Sequence, residues 1–404
     1  MSSFRASRRA ALTLGTAAAA LSLPGCALPI RISPVPRGQA SAATVLGVPN
    51  ERFFALEPAG QLALQKEFWE ASARFKAARG DRRGDPLPDL DLLGVSGGGD
   101  NGAFGAGVLN GWTRLGTRPE FFLVTGVSTG AMIAPFAFLG SAWDPQLKAV
   151  YTEITLADVA VERTLLLSII WNDGLADNTP LFHTISRFLD EAMLGAIGRE
   201  YERGRLLLVG STDLDADQPV IWNIGAIARS GHTKALETVR RVLLASAAVP
   251  AAFSPVLFDV TLDGKPHQEL HVDGGAFAQM FLYPASVGEL RREYIARRQP
   301  VPAVRAWLIR NARLDPGWAN VERRTYRIAG RAISSMIAAS GYNDVVRIYA
   351  RTERDRVDYN LTFIRPDFTV PNDKPFDPAF MRPLYQYGYD RVLRGDAWVK
   401  QPPV

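Results

Sequence analysis

The 404-residue chain contains a single cysteine, Cys26, and no uncharged apolar run of the roughly 20 residues that span a bilayer. A protein with one cysteine cannot form an internal disulfide, which excludes a disulfide-stabilised scaffold. The lack of long apolar runs argues against a membrane-spanning protein. Composition is otherwise ordinary for a globular protein, at 47% hydrophobic and 22% charged residues, and the length suffices for a substantial core.

The net charge of the chain is also small once the N-terminal arginines are left out. The formal net charge is +5, and subtracting Arg5, Arg8 and Arg9 at the N-terminus leaves +2 for the rest of the chain. No basic run interleaved with aromatic residues occurs elsewhere. The sequence therefore does not indicate nucleic-acid binding.

Metal-binding patterns are incomplete. The chain has four histidines, His183, His232, His267 and His271. His267 and His271 are four residues apart, but the glutamate between them is misplaced for a zinc-protease motif, and the following Asp-Gly-Gly favours a strand and turn. Residues 213–217 begin like a calcium loop, but Gln218 stands where that loop needs glycine. We predict a polar hairpin there, and neither a metal nor an organic cofactor for the protein.

The N-terminus has the pattern of an export signal. Arg8 and Arg9 precede an uncharged segment, residues 10–23, that is too short to span a membrane and is typical of a signal h-region. The arginine pair resembles a twin-arginine signal, with an ordinary signal peptide as the alternative. We predict that residues 1–25 are an export signal.

Cys26 ends the segment Leu23-Pro24-Gly25-Cys26, which resembles a bacterial lipobox. A lipid-anchor role explains both the position of the cysteine and its being alone. We expect Cys26 to be lipidated and to hold the protein on a membrane of the cell envelope, with a plainly cleaved signal as the alternative. Ala27 is not the aspartate typical of inner-membrane retention, which favours the outer membrane and the periplasmic side.

Three further segments follow in the predicted organisation. Residues 26–58 hold the lipidated cysteine and a tether, which the prolines and small residues indicate is extended. Residues 59–88 contain an N-terminal helix, with Leu64, Phe68 and Phe75 on one face that we expect to pack on the main domain. Residues 89–404 alternate strand, glycine-rich turn and helix. This alternation predicts a layered α/β domain with a largely parallel central sheet.

A serine turn marks the first candidate site. Ser128 lies between Gly126 and Gly130, directly after the apolar run of residues 121–124. A serine on a tight strand-to-helix turn is the pattern of a nucleophile presented above a sheet.

A glycine-rich loop precedes that turn by one strand. It contains Gly97, Gly98, Gly99, Asp100 and Gly102. Such a loop directs backbone N–H groups at one point, either for a phosphate or for the oxyanion of an attacked carbonyl. The Lys-Ser/Thr of a phosphate-binding P-loop is missing. The nearby serine turn favours an oxyanion hole.

The third motif is Asp273-Gly274-Gly275. With the glycine loop and the serine turn, in this order and spacing, it resembles the patatin-like phospholipase family, and residues 174–181 and 245–253 add to the resemblance. The resemblance implies a three-layer α/β/α fold with a largely parallel central sheet, and a catalytic dyad of Ser128 and Asp273 without histidine. It also implies oxyanion donors in the loop of residues 97–100, chiefly the backbone of Gly98, Gly99 and Asp100.

The chain departs from the family pattern at Asn101, where the family usually carries arginine or lysine. This departure leaves a preference for phospholipid headgroups open. We therefore predict a serine acyl hydrolase for lipid carboxyl esters, of phospholipase A or lysophospholipase type. The alternatives are a non-phospholipid esterase or lipase, and a non-catalytic lipid-binding envelope lipoprotein. His271 as a third catalytic residue is a further hypothesis, with a packing or hydrogen-bonding role favoured. The sequence does not indicate the oligomeric state.

Overall fold

The computed structural model describes residues 31–80, 88–162, 176–250, 252–298 and 300–403. The predicted export signal and the lipidation site Cys26 lie outside the described residues. Within them, no helix is both long and apolar enough to cross a membrane.

Eleven strands and eleven α-helices make up the described chain. The strands are β1 (Arg52–Phe54), β2 (Leu90–Val95), β3 (Leu123–Val127), β4 (Val161–Glu162), β5 (Ala176–Asp177), β6 (Leu206–Asp213), β7 (Gln218–Asn223), β8 (Val256–Leu262), β9 (Lys265–Asp273), β10 (Val304–Arg310) and β11 (Asp358–Phe363). The helices are α1 (Pro58–Ala78), α2 (Gly102–Leu115), α3 (Thr129–Leu139), α4 (Asp144–Thr152), α5 (Thr179–Phe188), α6 (Glu191–Glu202), α7 (Ile224–Arg229), α8 (Ala235–Ser246), α9 (Ala285–Ala296), α10 (Thr325–Asp355) and α11 (Pro378–Arg394).

The central sheet has nine strands and is parallel through the part that follows the predicted alternation. Five neighbouring strands in the order β6-β3-β2-β10-β11 run parallel. Beyond β6, strands β7 and β1 are antiparallel, and β9 pairs antiparallel with both β6 and β8. Strands β4 and β5 form a separate two-stranded sheet.

Helices cover both faces of this sheet, because successive side chains of a strand point to opposite sides. Leu93 of β2 belongs to a core with α2, α3 and α11. Its neighbour Leu92 belongs to a second core with α1 and the C-terminal half of α10. In that second core the rings of Phe68 and Phe75 on α1 lie edge-on to Phe122, at 5.2 and 5.3 Å between centroids. The protein is thus an α/β/α sandwich around a mostly parallel sheet.

The second part of the predicted tether packs on the sheet. Thr44 bridges to Thr261 of β8, and β1 pairs with β7. The Arg52 guanidinium, 3% exposed, forms a bidentate ion pair with Glu269, 1% exposed. Proline and small residues predicted an unpacked segment because they disfavour regular structure, but they do not prevent strand addition at an edge.

The buried Arg52–Glu269 pair gives a stability prediction. Arg52→Met should lower the free energy of unfolding by about 3–5 kcal/mol, because it removes the guanidinium that neutralises the buried Glu269 carboxylate. Urea denaturation measures the change. Arg31→Met is the matched control: its pair with Asp215 is 25% and 23% exposed, so the expected loss is less than about 1 kcal/mol. Equal losses in the two variants would contradict the prediction.

Candidate active site

Ser128 occupies the turn between β3 and α3. Its backbone has φ 55° and ψ −126°, a conformation that a non-glycine residue adopts only when the surroundings impose it. Both flanking glycines are required by close packing. A Cβ at Gly126 would lie 2.4 Å from the carbonyl oxygen of Gly130, and one at Gly130 would lie 2.2 Å from that of Val95. The structure therefore places Ser128 as the sequence pattern predicts, on a strained strand-to-helix turn.

A second serine, which the sequence analysis did not identify, holds this turn. The backbone N–H of Ser128 donates to Ser246 Oγ at 3.0 Å, and Ser246 Oγ–H donates to the Gly210 carbonyl at 2.6 Å. Ser246 thus connects the turn to β6. The sequence could have indicated this role, because Ser246 lies in the family-like segment of residues 245–253.

The strand register brings Asp273 to Ser128. Strand β6 pairs with β7 along one edge. Along its other edge it pairs first with β3 and then, further along, with β9. Val127 is opposite Gly210, and Asp273 is opposite Ser211, the next residue of β6. Strand β3 runs parallel to β6 and β9 runs antiparallel, so the two strands end facing each other. The candidate nucleophile and the candidate acid meet at that junction.

Asp273 is buried, at 4% exposure, and is held by local hydrogen bonds. Its Oδ1 accepts the N–H of Gly275 at 2.6 Å. Burial raises the pKa of Asp273 to about 6, against the opposing effects of the neighbouring Ser128 hydroxyl and of the Gly275 N–H. A carboxylate with that pKa is a much better proton acceptor near neutral pH than an exposed aspartate.

The glycine loop lies beside Ser128. Of the backbone N–H groups predicted to bind the oxyanion, the structure excludes that of Gly97. The N–H of Gly97 donates to the Gln279 carbonyl at 3.1 Å, so it is not free to bind an oxyanion. The amides of Gly98 and Gly99 have no acceptor among the described residues, as expected where a helical turn begins. A Cβ at Gly98 would lie 2.1 Å from the Asn311 carbonyl oxygen, so the loop can be this close only with glycine.

The side chain of Asp100 is bound by the segment that precedes α11. Its Oδ2 accepts Asn372 Nδ2 at 3.0 Å and the backbone N–H of Phe376 at 3.1 Å. The acidic residue in this loop therefore fixes the segment before α11. Gly102 begins α2 where a Cβ would lie 2.3 Å from Thr129 Oγ1, and a Cβ at Gly274 would lie 2.5 Å from the Gly210 carbonyl oxygen.

His271 does not contact Ser128 and belongs to a separate buried cluster. Its Nδ1 lies 2.9 Å from Ser211 Oγ, and its Nε2 lies 3.2 Å from Glu269 Oε2. Asp213, Glu269 and His271 have ligand atoms within 4.8 Å of one another, which suits a cation by distance alone. The Arg52 guanidinium already occupies Glu269 and places a positive charge there, so the donor set does not fit a metal.

Two cavities meet at Ser128. The first, of about 230 Å³, is almost entirely apolar. Among its lining residues are Met132, Phe136, Ile154, Phe188, Leu243 and Phe253. The second, of about 760 Å³, is bounded by the glycine loop, Asp273 and the N-terminal half of α10. Ser128 and Gly99 line both cavities. None of the four histidines lines either one.

Arg310 is the functional candidate that the sequence analysis missed. It ends β10, is 2% exposed, and lines the larger cavity together with Asn101. Burial lowers the pKa of Arg310 to about 10. An arginine at the carboxyl end of a parallel strand was the available signal, because ligands of α/β sheets bind at that edge.

Comparison with known proteins places these features in a family. Residues 93–285 match the family model described as patatin-like phospholipase. The crystal structure of VipD from Legionella pneumophila is similar at 14% identity and a TM-score of 0.36, over 76% of this chain and 66% of VipD, slightly less than two thirds of its length. No match was found among curated proteins. The glycine loop, Ser128 and Asp273 all fall inside the matched range, and residues 93–285 of this chain belong to the patatin-like phospholipase family.

Proposed function

We propose that the protein is a serine acyl hydrolase that cleaves carboxyl esters of lipids through a dyad of Ser128 and Asp273. The observation that carries this proposal is the end-to-end meeting of β3 and β9 on β6, which brings Ser128 next to a buried carboxyl with a raised pKa. The dyad needs no histidine, and none is present at the site.

In the proposed first half-reaction, Asp273 accepts the proton of the Ser128 hydroxyl as Oγ attacks the ester carbonyl. The amides of Gly98 and Gly99 stabilise the negative charge that forms on the carbonyl oxygen, and one such donor contributes about 3 kcal/mol. When the intermediate collapses, the bond to the leaving oxygen breaks and the protonated Asp273 gives its proton to that oxygen. The alcohol departs and leaves an acyl group on Ser128.

In the second half-reaction, Asp273 takes a proton from water as the water oxygen attacks the acyl carbonyl. Collapse of this intermediate breaks the bond to Ser128 Oγ, which recovers a proton from Asp273. A fatty acid is released and the enzyme returns to its initial state.

The apolar cavity beside Ser128 suits the acyl chain. Each buried methylene contributes about 0.8 kcal/mol, so binding should strengthen by about fourfold per carbon until the cavity is full. This dependence supports lipid esters over acetyl esters as substrates.

The test is ester hydrolysis by the purified protein with chemical labelling of the nucleophile. We expect fatty-acid release from mixed micelles of phospholipid and from a chromogenic ester, and one fluorophosphonate adduct per chain, located on Ser128 by peptide mass. A protein that binds lipid but hydrolyses no ester and takes no label would instead be a non-catalytic lipid-binding protein.

Export and lipidation of Cys26 stay predictions. Anchoring at a membrane would keep the enzyme at its substrate surface without requiring tight binding of each lipid. The proposed location is the periplasmic side of the cell envelope.

A further inference from the structure

Arg310 is a buried cation without a carboxylate partner in the described part of the chain. Its Nε has no hydrogen-bond partner, and Nη1 reaches only the Gly97 carbonyl, at 3.5 Å. A charged group held this way loses its hydration without compensation, which is costly unless a ligand supplies the missing charge.

Asp344, the acidic residue whose charge acts on Arg310, is hydrogen-bonded to other groups. Asp344 Oδ2 accepts the backbone N–H groups of Gln279 and Met280, at 2.7 and 3.2 Å. Its Oδ1 accepts Arg347 Nη2 at 2.7 Å. Asp344 therefore attracts Arg310 at a distance but does not bind it. At neutral pH Arg310 remains protonated despite the lowering of its pKa by burial.

Helix α10 makes room for the guanidinium at a glycine. A Cβ at Gly341 would lie 2.2 Å from Arg310 Nη2 and 2.4 Å from Cζ. Glycine inside a helix is destabilising relative to alanine. The close approach of Arg310 is the physical reason for glycine at this position.

The guanidinium also stands on the side of Ser128 away from the acyl cavity. It lines the 760 Å³ cavity with Asn101, at the loop position where the family resemblance led us to expect a basic residue. An ester whose acyl chain fills the apolar cavity would extend its alcohol half into this second cavity. A phosphate there would meet Arg310, whose planar fork suits phosphate oxygens.

Building on the proposed hydrolase function, we propose that Arg310 binds the phosphate of the alcohol half, so that the substrates are phosphate-bearing lipid esters. The cation absent at Asn101 is supplied instead by the end of β10. Headgroup preference is then set by Arg310 and by the space that Gly341 leaves for it.

The test compares two substrates that differ by the phosphate alone, 1-palmitoyl-glycerol 3-phosphate and 1-monopalmitoylglycerol, with the full purified protein. Wild type is expected to have the higher kcat/KM on the phosphate ester. Arg310→Gln should lower the ratio of the two kcat/KM values by about 10- to 100-fold, as for loss of a hydrogen bond to a charged group. Arg310→Lys should restore part of that ratio.

Gly341→Ala tests the same site without changing charge or removing the arginine. Its Cβ should displace the guanidinium and lower the ratio in the same direction. Gly330→Ala, in the same helix with no atom within 4 Å of the added Cβ, is the matched control and should leave the ratio unchanged. An equal effect of the two glycine variants would overturn the proposal.

Other outcomes separate this proposal from the function on which it rests. If wild type hydrolyses both esters equally, the phosphate site is wrong and the hydrolase stands. If it hydrolyses neither ester nor any short-chain ester, the hydrolase itself fails. If inorganic phosphate has a saturable effect on monopalmitoylglycerol hydrolysis that is lost in Arg310→Gln, while wild type shows no preference for the phosphate ester, the site binds the free anion and the assignment to a lipid headgroup is overturned.

Discussion

Ser128→Ala is expected to lower kcat for ester hydrolysis by about 10⁴- to 10⁶-fold. In the proposed mechanism the Ser128 Oγ forms the acyl-enzyme, and removal of a catalytic nucleophile leaves only binding and oxyanion stabilisation. Steady-state turnover of a chromogenic ester measures the loss, and the absence of a fluorophosphonate adduct checks its cause. Residual activity within about 100-fold of wild type would show that another group is the nucleophile.

Backbone strain at Ser128 provides the control for folding. Alanine retains the strain of φ 55°, whereas Ser128→Gly releases it. Both variants should be inactive, but Ser128→Gly should have a free energy of unfolding about 1 kcal/mol higher than Ser128→Ala. Inactive variants with this order of stability cannot owe their inactivity to unfolding.

Asp273→Asn should lower kcat/KM by about 10³- to 10⁴-fold, because the amide cannot accept the serine proton. Asparagine has nearly the same shape, and its Oδ1 can still accept the N–H of Gly275. The loss would therefore report the chemistry rather than the packing. Parallel measurement of the denaturation midpoint verifies that the fold is retained.

The pH profile distinguishes Asp273 from a histidine. Only ionised Asp273 can act as the base, and its pKa is raised to about 6. In wild type kcat/KM should therefore be level above that pH and fall tenfold per pH unit below it. The limb should persist in His271→Gln, which we expect to be less stable because it disturbs a buried cluster. A limb that disappears in His271→Gln would contradict the dyad.

The parallel part of the fold could be predicted from the sequence because local signals agree there. Strand β2 and helix α2 lie almost where their apolar patterns indicate. Strand β3 (Leu123–Val127) begins two residues after the start of the apolar run of residues 121–124, because its register with β2 starts at Leu123.

The site was predictable only in part. The turn pattern predicts Ser128 and the resemblance predicts Asp273 as its partner, whereas the reason that they meet is the antiparallel register of β9 on β6, which no local pattern encodes. The hydrogen bond from the Gly97 N–H to the Gln279 carbonyl likewise joins segments that are distant in sequence. The surroundings of Arg310 also depend on such distant segments. The packed N-terminal stretch was missed because its burial depends on partners far along the sequence.

The end-to-end arrangement of β3 and β9 also sets the order in which the protein matures during folding. The parallel strands β2, β3 and β6 can pair before β9 has been made, since all three precede it in the chain. Domains fold progressively from the N-terminus as they are synthesised. A nascent chain would therefore present its nucleophile turn with no base, and it would gain hydrolytic competence only when the last residues of β9 close on β6.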